Sequence, residues 1–315
     1  NVRYGGIYRG YVHLSPATGG ANLLCQDCHV VADHKIPGRG IDLRPTEGAD
    51  QPTCAGACHS DTPHGAVSDG DALNTHANRV ACQTCHIPTY GKDVGTEISR
   101  DWTEPHYSPG GCQGQGAWVG TEVRGTDLIP EYTFWNGQSF VYDVAAGLNA
   151  DTDGYYTMSR ALGDINDGKL YPIKVHYSYQ PRHDATGKMI QYDVLWNFMT
   201  GKYEEAAQRG LDFMGLSGSY SWVDVKAEQL ITHGVEPSSN ALDCTDCHDG
   251  GTQMNLQDIG YTMDGTTATV CAQCHNEKQP RPYAQQHDGH VTRRGFDCVW
   301  CHDFSRPERG LTLPQ

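Results

Sequence analysis

A five-residue pattern, C-x-x-C-H, occurs five times in this chain: Cys25-Gln-Asp-Cys28-His29, Cys82-Gln-Thr-Cys85-His86, Cys244-Thr-Asp-Cys247-His248, Cys271-Ala-Gln-Cys274-His275 and Cys298-Val-Trp-Cys301-His302. Two thiols at this spacing add across the vinyl groups of a c-type haem, and the histidine that follows gives the iron its proximal nitrogen. A sixth stretch, Cys54-Ala-Gly-Ala-Cys58-His59, has the same ends with one residue more between the thiols. Gly56, without a Cβ, lets the backbone absorb that residue, so this stretch is read as a haem site too. The six sites together use twelve of the 13 cysteines.

Two other uses of cysteine fit less well. A disulfide framework does not require a histidine after every second cysteine. Zinc sites need paired ligand knuckles at short separation, and the gap from 86 to 244 supplies none. Six covalently bound haem c groups are therefore the expected cofactors.

Only 37% of the residues are hydrophobic and 9% aromatic, with 37 glycines in 315, a thin supply of core material for the length. Haems are large apolar bodies that make up the shortfall. The expected fold is mostly irregular loop, with short helices at the motifs, wrapped around a stack of six haems. Few segments sustain a helical period; Lys202–Arg209 (KYEEAAQR) is among the better helix candidates. Three pieces are expected: a three-haem segment over 1–100, a haem-free β-rich insert over 101–229, and a second three-haem segment over 230–315. Within the insert, 132–144 (YTFWNGQSFVYDV) and 169–179 (KLYPIKVHYSY) alternate like strands and predict a small β element.

The formal charge of −15 excludes electrostatic binding of nucleic acid or anionic membrane. No apolar run is long enough to span a bilayer. The numbering opens on Asn1 without a hydrophobic leader, which suits an exported chain whose signal peptide has been cleaved. The expected location is extracellular or at the cell surface, with the periplasm as the alternative.

Ten histidines remain after the motifs: His13, His34, His64, His76, His106, His176, His183, His233, His287 and His290. No methionine sits near a motif in a repeated context, so histidine is the expected distal ligand of each iron. His34 follows the first motif closely. His64 and His76 lie between two motifs, His233 and His290 precede theirs by similar spacers, and His176 is the best placed in the insert. His13 and His287 are reserves, while His106 and His183 resemble loop residues. Cys112, in a Gly-rich stretch, reads as a free thiol, a substrate-binding thiol, an unusual ligand or an intermolecular bridge. Residues 149–156 and 163–169 have the Asp-x-Asp-Gly character of calcium loops without the closing Glu, so calcium is a possible further cofactor.

The stretches LNTHANRVACQTCHIP, YPIKVHYSYQPRHD, ITHGVEPSSNALDCTDCH and GHVTRRGFDCVWCHDFSRPE resemble segments of the octahaem tetrathionate reductase family of periplasmic multihaem cytochromes. The resemblance implies that His34, His64, His76, His176, His233 and His290 are the distal ligands. It also implies a catalytic haem with lysine in the proximal position, whereas all six motifs here end in histidine and two haems fewer are encoded. The scaffold is thus expected without the catalysis. Haem density and histidine supply are similar to those of the extracellular cytochrome filaments.

Two function classes follow. One is an electron carrier working outside the cytoplasmic membrane, polymerised head to tail with copies of itself and exchanging electrons with partner cytochromes or extracellular acceptors. Motifs near both chain ends and a Tyr- and Trp-rich insert favour such open, heterologous contacts, with His13 bridging to a neighbour's haem. The other is a periplasmic reductase of a small sulfur or nitrogen oxyanion, which requires one open iron.

Overall fold

The structure is a computed structural model that describes residues 29, 53–65, 69–92, 95–248, 252–263, 267–275 and 283–304. Among the described residues nine strands lie in chain order: β1 (Thr96–Ser108), β2 (Ala117–Gly125), β3 (Glu131–Trp135), β4 (Ser139–Val141), β5 (Tyr156–Ala161), β6 (Lys169–His183), β7 (Tyr220–Leu230), β8 (Tyr261–Met263) and β9 (His302–Phe304). The helices among the described residues begin with α1 (Cys54–Ala57), α2 (Gly70–His76), α3 (Cys82–His86) and α4 (Gly111–Gly114). They continue with α5 (Val194–Thr200), α6 (Tyr203–Phe213), α7 (Cys244–Cys247), α8 (Thr267–Ala272) and α9 (Tyr283–His287).

The expectation of a mostly irregular fold with a small β insert is overturned. Seven strands form one mixed sheet in the order β2-β1-β6-β7-β5-β4, with β3 also paired to β6. The spine is β6, whose long run of β-branched and aromatic residues suits a pleated, half-buried surface. It pairs antiparallel with β7 from Ile173↔Leu230 to His183↔Tyr220, antiparallel with β3, and parallel with β1 at Ser99↔Tyr177. Strands β1 and β2 hid from sequence inspection for a physical reason. β1 reads TEISRDWTEPHYS and is intermediate in burial on both faces over its first eight residues, so no apolar–polar alternation marks it. Its charges are absorbed locally: Arg100 bonds Glu97 at 2.6 Å and reaches Glu122 on β2 at 2.5 Å.

The core of the sheet therefore comes from side chains. Trp135, Ala161, Ile173, Val175 and Leu230 pack on one side of the sheet. Successive β3 residues point to opposite faces, so Tyr132 and Phe134 join a different cluster with Ile165, Leu170, Met254 and Ile259. Partly buried Cys247 and Cys298 pack against that second cluster, which fixes two motifs to the sheet. The Lys202–Arg209 stretch forms the start of α6, which buries Ala206, Ala207, Gly210 and Leu211 as one stripe.

Three contacts tie the motif segments to this scaffold. The Ala81 N–H donates to the Leu170 carbonyl at 2.9 Å, and the Thr84 hydroxyl to the same oxygen at 2.7 Å. Arg79 grips the Asp297 carboxylate through Nε at 2.9 Å and a terminal nitrogen at 2.7 Å. Asp297 immediately precedes Cys298, so this fork sets the last motif beside α2.

Candidate haem-ligating histidine pairs

Two motif turns hold their histidine by the same backbone device. The His248 N–H donates to the Cys244 carbonyl at 2.9 Å, and the His275 N–H to the Cys271 carbonyl at 2.9 Å. At α7 a capping box starts the turn: Asp243 accepts from the Thr245 N–H at 2.8 Å, and Asp246 accepts from the Asp243 N–H at 2.7 Å. The stretched site keeps the device. Cys58 N–H donates to the Cys54 carbonyl at 3.1 Å, and His59 N–H donates to the same oxygen at 2.9 Å. The extra residue is taken up as one wider, i→i+5 turn of the π type.

Five motif histidines each face a second histidine. The ring centroids of His29 and His233 lie 6.1 Å apart, those of His64 and His86 6.2 Å, and those of His76 and His248 6.2 Å. His275 and His290 are 5.8 Å apart, and His287 and His302 6.2 Å. Two imidazoles bonded to one metal, each about 2 Å from it, have centroids roughly 6 Å apart. Every pair combines one motif histidine with one from outside the motifs. That repeated spacing fits a haem iron held between two imidazoles. A bound haem supplies a one-electron carrier at each pair.

In four of the partner rings the outer nitrogen is also engaged. His76 Nδ1 lies 3.0 Å from the Ala72 carbonyl and His290 Nδ1 2.9 Å from the Gln286 carbonyl, each one helical turn back. A carbonyl only accepts, so Nδ1 carries the proton and Nε2 keeps its lone pair for a metal. His233 Nδ1 contacts the Thr232 hydroxyl at 3.0 Å, and His64 Nδ1 the Asn74 amide oxygen at 3.2 Å. Burial holds His233 and His302 below the ordinary histidine value, helped by the facing His29 and His287, which favours the neutral ring that ligates.

The remaining predicted residues are placed as follows. Cys25, Cys28, His13 and His34 lie outside the described residues. The structure sets His176 on β6 against Glu97, with Nε2 3.2 Å from Oε1, and the five facing partners are other histidines. Burial pushes the Glu97 carboxyl up, but the bonds from Arg100 and His176 outweigh it and hold the carboxyl well below the usual range. His183 is buried, contacting the Thr186 hydroxyl at 2.8 Å and the Ser217 carbonyl at 3.2 Å, and His106 is an exposed residue of β1. Cys112 falls in α4.

The calcium-like stretches are occupied by protein groups. Asp153 is paired with Lys226, and Asp151 lies 3.7 Å from Arg160. Asp164 accepts from the Asn166 N–H at 2.7 Å, and Asp167 from the Asn136 amide at 2.7 Å. Among the described residues, no three carboxylate, histidine or cysteine groups are gathered for a metal ion.

The family model described as "Cytochrome c bacterial" matches residues 117–251, which run from β2 through the motif at Cys244. The crystal structure of an octahaem cytochrome c from Shewanella oneidensis is similar over 86% of this chain, at 29% identity and a TM-score of 0.66. The match spans 63% of the length of that protein. No curated protein matches. The chain is a multihaem c-type cytochrome that resembles the octahaem cytochrome in fold and sequence. Bacterial c-type cytochromes carry covalent haem and are exported, and among the described residues no helix is long and apolar enough to cross a membrane.

Proposed function

We propose that the chain is a six-haem electron carrier whose irons are closed by histidine on both faces. The observation that carries this reading is the set of five histidine pairs at 5.8–6.2 Å, each containing one motif histidine. The sixth haem belongs to Cys54, Cys58 and His59, supported by the retained bond from His59 to Cys54. His34 and His13 are the candidates for its distal side.

An iron closed by two imidazoles passes electrons and offers no position to a substrate. The reading therefore favours electron transfer over reduction of a small oxyanion. It extends to a head-to-tail homopolymer outside the cell, supported by exposed apolar side chains: Leu195 at 64%, Met199 at 60% and Phe213 at 79% on α5 and α6, and Trp300 at 57% inside the last motif.

The test is redox titration of the reduced protein under carbon monoxide. Six one-electron steps with no shift in the haem bands are expected. A haem that binds carbon monoxide rapidly and stoichiometrically overturns the reading in favour of a reductase. Sedimentation of native material separately decides polymer from monomer.

A further inference from the structure

The short helix α2 and the turn before it carry two histidines that face different motifs. His76, at its last position, faces His248. His64 precedes the helix and faces His86 with the ring planes only 10° apart. Two residues of α2, one turn apart, touch His64. Asn74 Oδ1 lies 3.2 Å from the His64 backbone nitrogen and 3.2 Å from its ring Nδ1. At Gly70 a Cβ would stand 1.9 Å from the His64 carbonyl oxygen, so only glycine allows this approach of helix and backbone.

The hydrogen bonds fix their own directions. A backbone N–H is always a donor, so the Asn74 atom facing it is the amide oxygen and not the nitrogen. The ring nitrogen that meets the same oxygen must then be Nδ1–H, and Nε2 is left unprotonated toward His86. The histidine on α2 itself has no such dependence, because His76 bonds a main-chain carbonyl that substitution leaves in place.

We infer that Asn74 is a positioning residue that sets the tautomer, ring plane and reduction potential of the haem held by His64 and His86, with Gly70 seating His64 against it. The inference rests on the histidine-pair reading above. An acceptor on Nδ1–H raises the basicity of the ligating nitrogen, and stronger ligand donation stabilises the ferric state. Asn74→Asp, which keeps the geometry and strengthens the acceptor, lowers the potential of that haem. Asn74→Leu, which removes the acceptor, raises it and frees the ring to rotate. Asn74→Gln restores part of the native value only where its longer amide still reaches.

The experiment is potentiometry with electron paramagnetic resonance on the holoprotein variants, alongside His64→Ala. His64→Ala identifies the haem, because one low-spin signal is replaced by a high-spin one. The expected result is that Asn74→Asp and Asn74→Leu move that same signal, shift one midpoint in opposite directions and leave the others in place. If both variants carry the full haem complement and leave every midpoint and signal unchanged, while His64→Ala opens a haem, the role of Asn74 is overturned and the pair stands. If His64→Ala opens no haem, the pair itself is overturned, and the inference with it.

Discussion

The His59 N–H donates to the carbonyl of Cys54 at 2.9 Å, the same length at which His248 binds Cys244, although one more residue separates the first two. The attachment turn is thus defined by first cysteine and histidine, and the residues between them adapt. Intact-mass measurement of the holoprotein should show six haem additions, falling to five in a Cys54→Ser/Cys58→Ser variant. Five in the native chain would return this turn to a purely structural role.

His287 and His290 sit three residues apart where α9 passes into a π turn over Asp288–Thr292, closed by the Arg293 N–H on the Asp288 carbonyl at 3.0 Å. They face different motif histidines, His302 and His275. The wider turn directs two near neighbours to two different motif histidines. His287→Ala should convert one haem to a high-spin, carbon monoxide-binding form. His176→Ala should leave every haem low-spin, because its ring is spent on Glu97. Optical spectra with and without carbon monoxide distinguish the two variants.

Glu97 gives the sheet an acid-sensitive contact. Its carboxyl is held below the ordinary value in the fold, so its contribution is fully present above that value and is lost as pH falls toward the folded one. At neutral pH Glu97→Gln should cost about 2 kcal/mol, the scale of a charged hydrogen bond left incomplete. Native and variant melting temperatures should converge as the pH drops below the carboxylate range. Parallel curves down to pH 3 would show that Glu97 stores no acid-labile stability.

The Arg79–Asp297 fork should matter for the last motif. Arg79 is only 23% exposed in its side chain and also bonds the Asn166 carbonyl at 2.9 Å. Arg79→Ala leaves Asp297 unpaired beside Cys298 and should destabilise the fold by about 2–3 kcal/mol. The corresponding loss in an Arg79→Ala/Asp297→Ala pair should be smaller than the sum, as a thermal double-mutant cycle would show.

The motif turns were legible because covalent haem attachment demands adjacent residues in fixed order. Their distal partners were less so, because facing residues such as His76 and His248, or His29 and His233, are brought together only by the fold. His176 carries a family-like sequence around it, yet β6 delivers it to Glu97. His287, three residues from His290, faces His302 through a π turn that no local pattern announces. Asn74 was invisible as well: its role depends on α2 lying against His64. The sheet was foreshadowed at β3, β4 and β6, where apolar residues alternate. It was missed at β1 and β2, where charges such as Arg100, Glu122 and Arg124 neutralise one another across the pair.

Electron paramagnetic resonance of the fully oxidised protein tests the central claim most directly. Axial rings that lie nearly parallel, as His64–His86 at 10° and His287–His302 at 5°, give ordinary rhombic low-spin ferric signals. Rings close to perpendicular, as His76–His248 at 68° and His275–His290 at 72°, give a single feature displaced to larger g. The account predicts both classes together, integrating to low-spin iron alone at every haem. A stoichiometric high-spin signal in the native protein would contradict it.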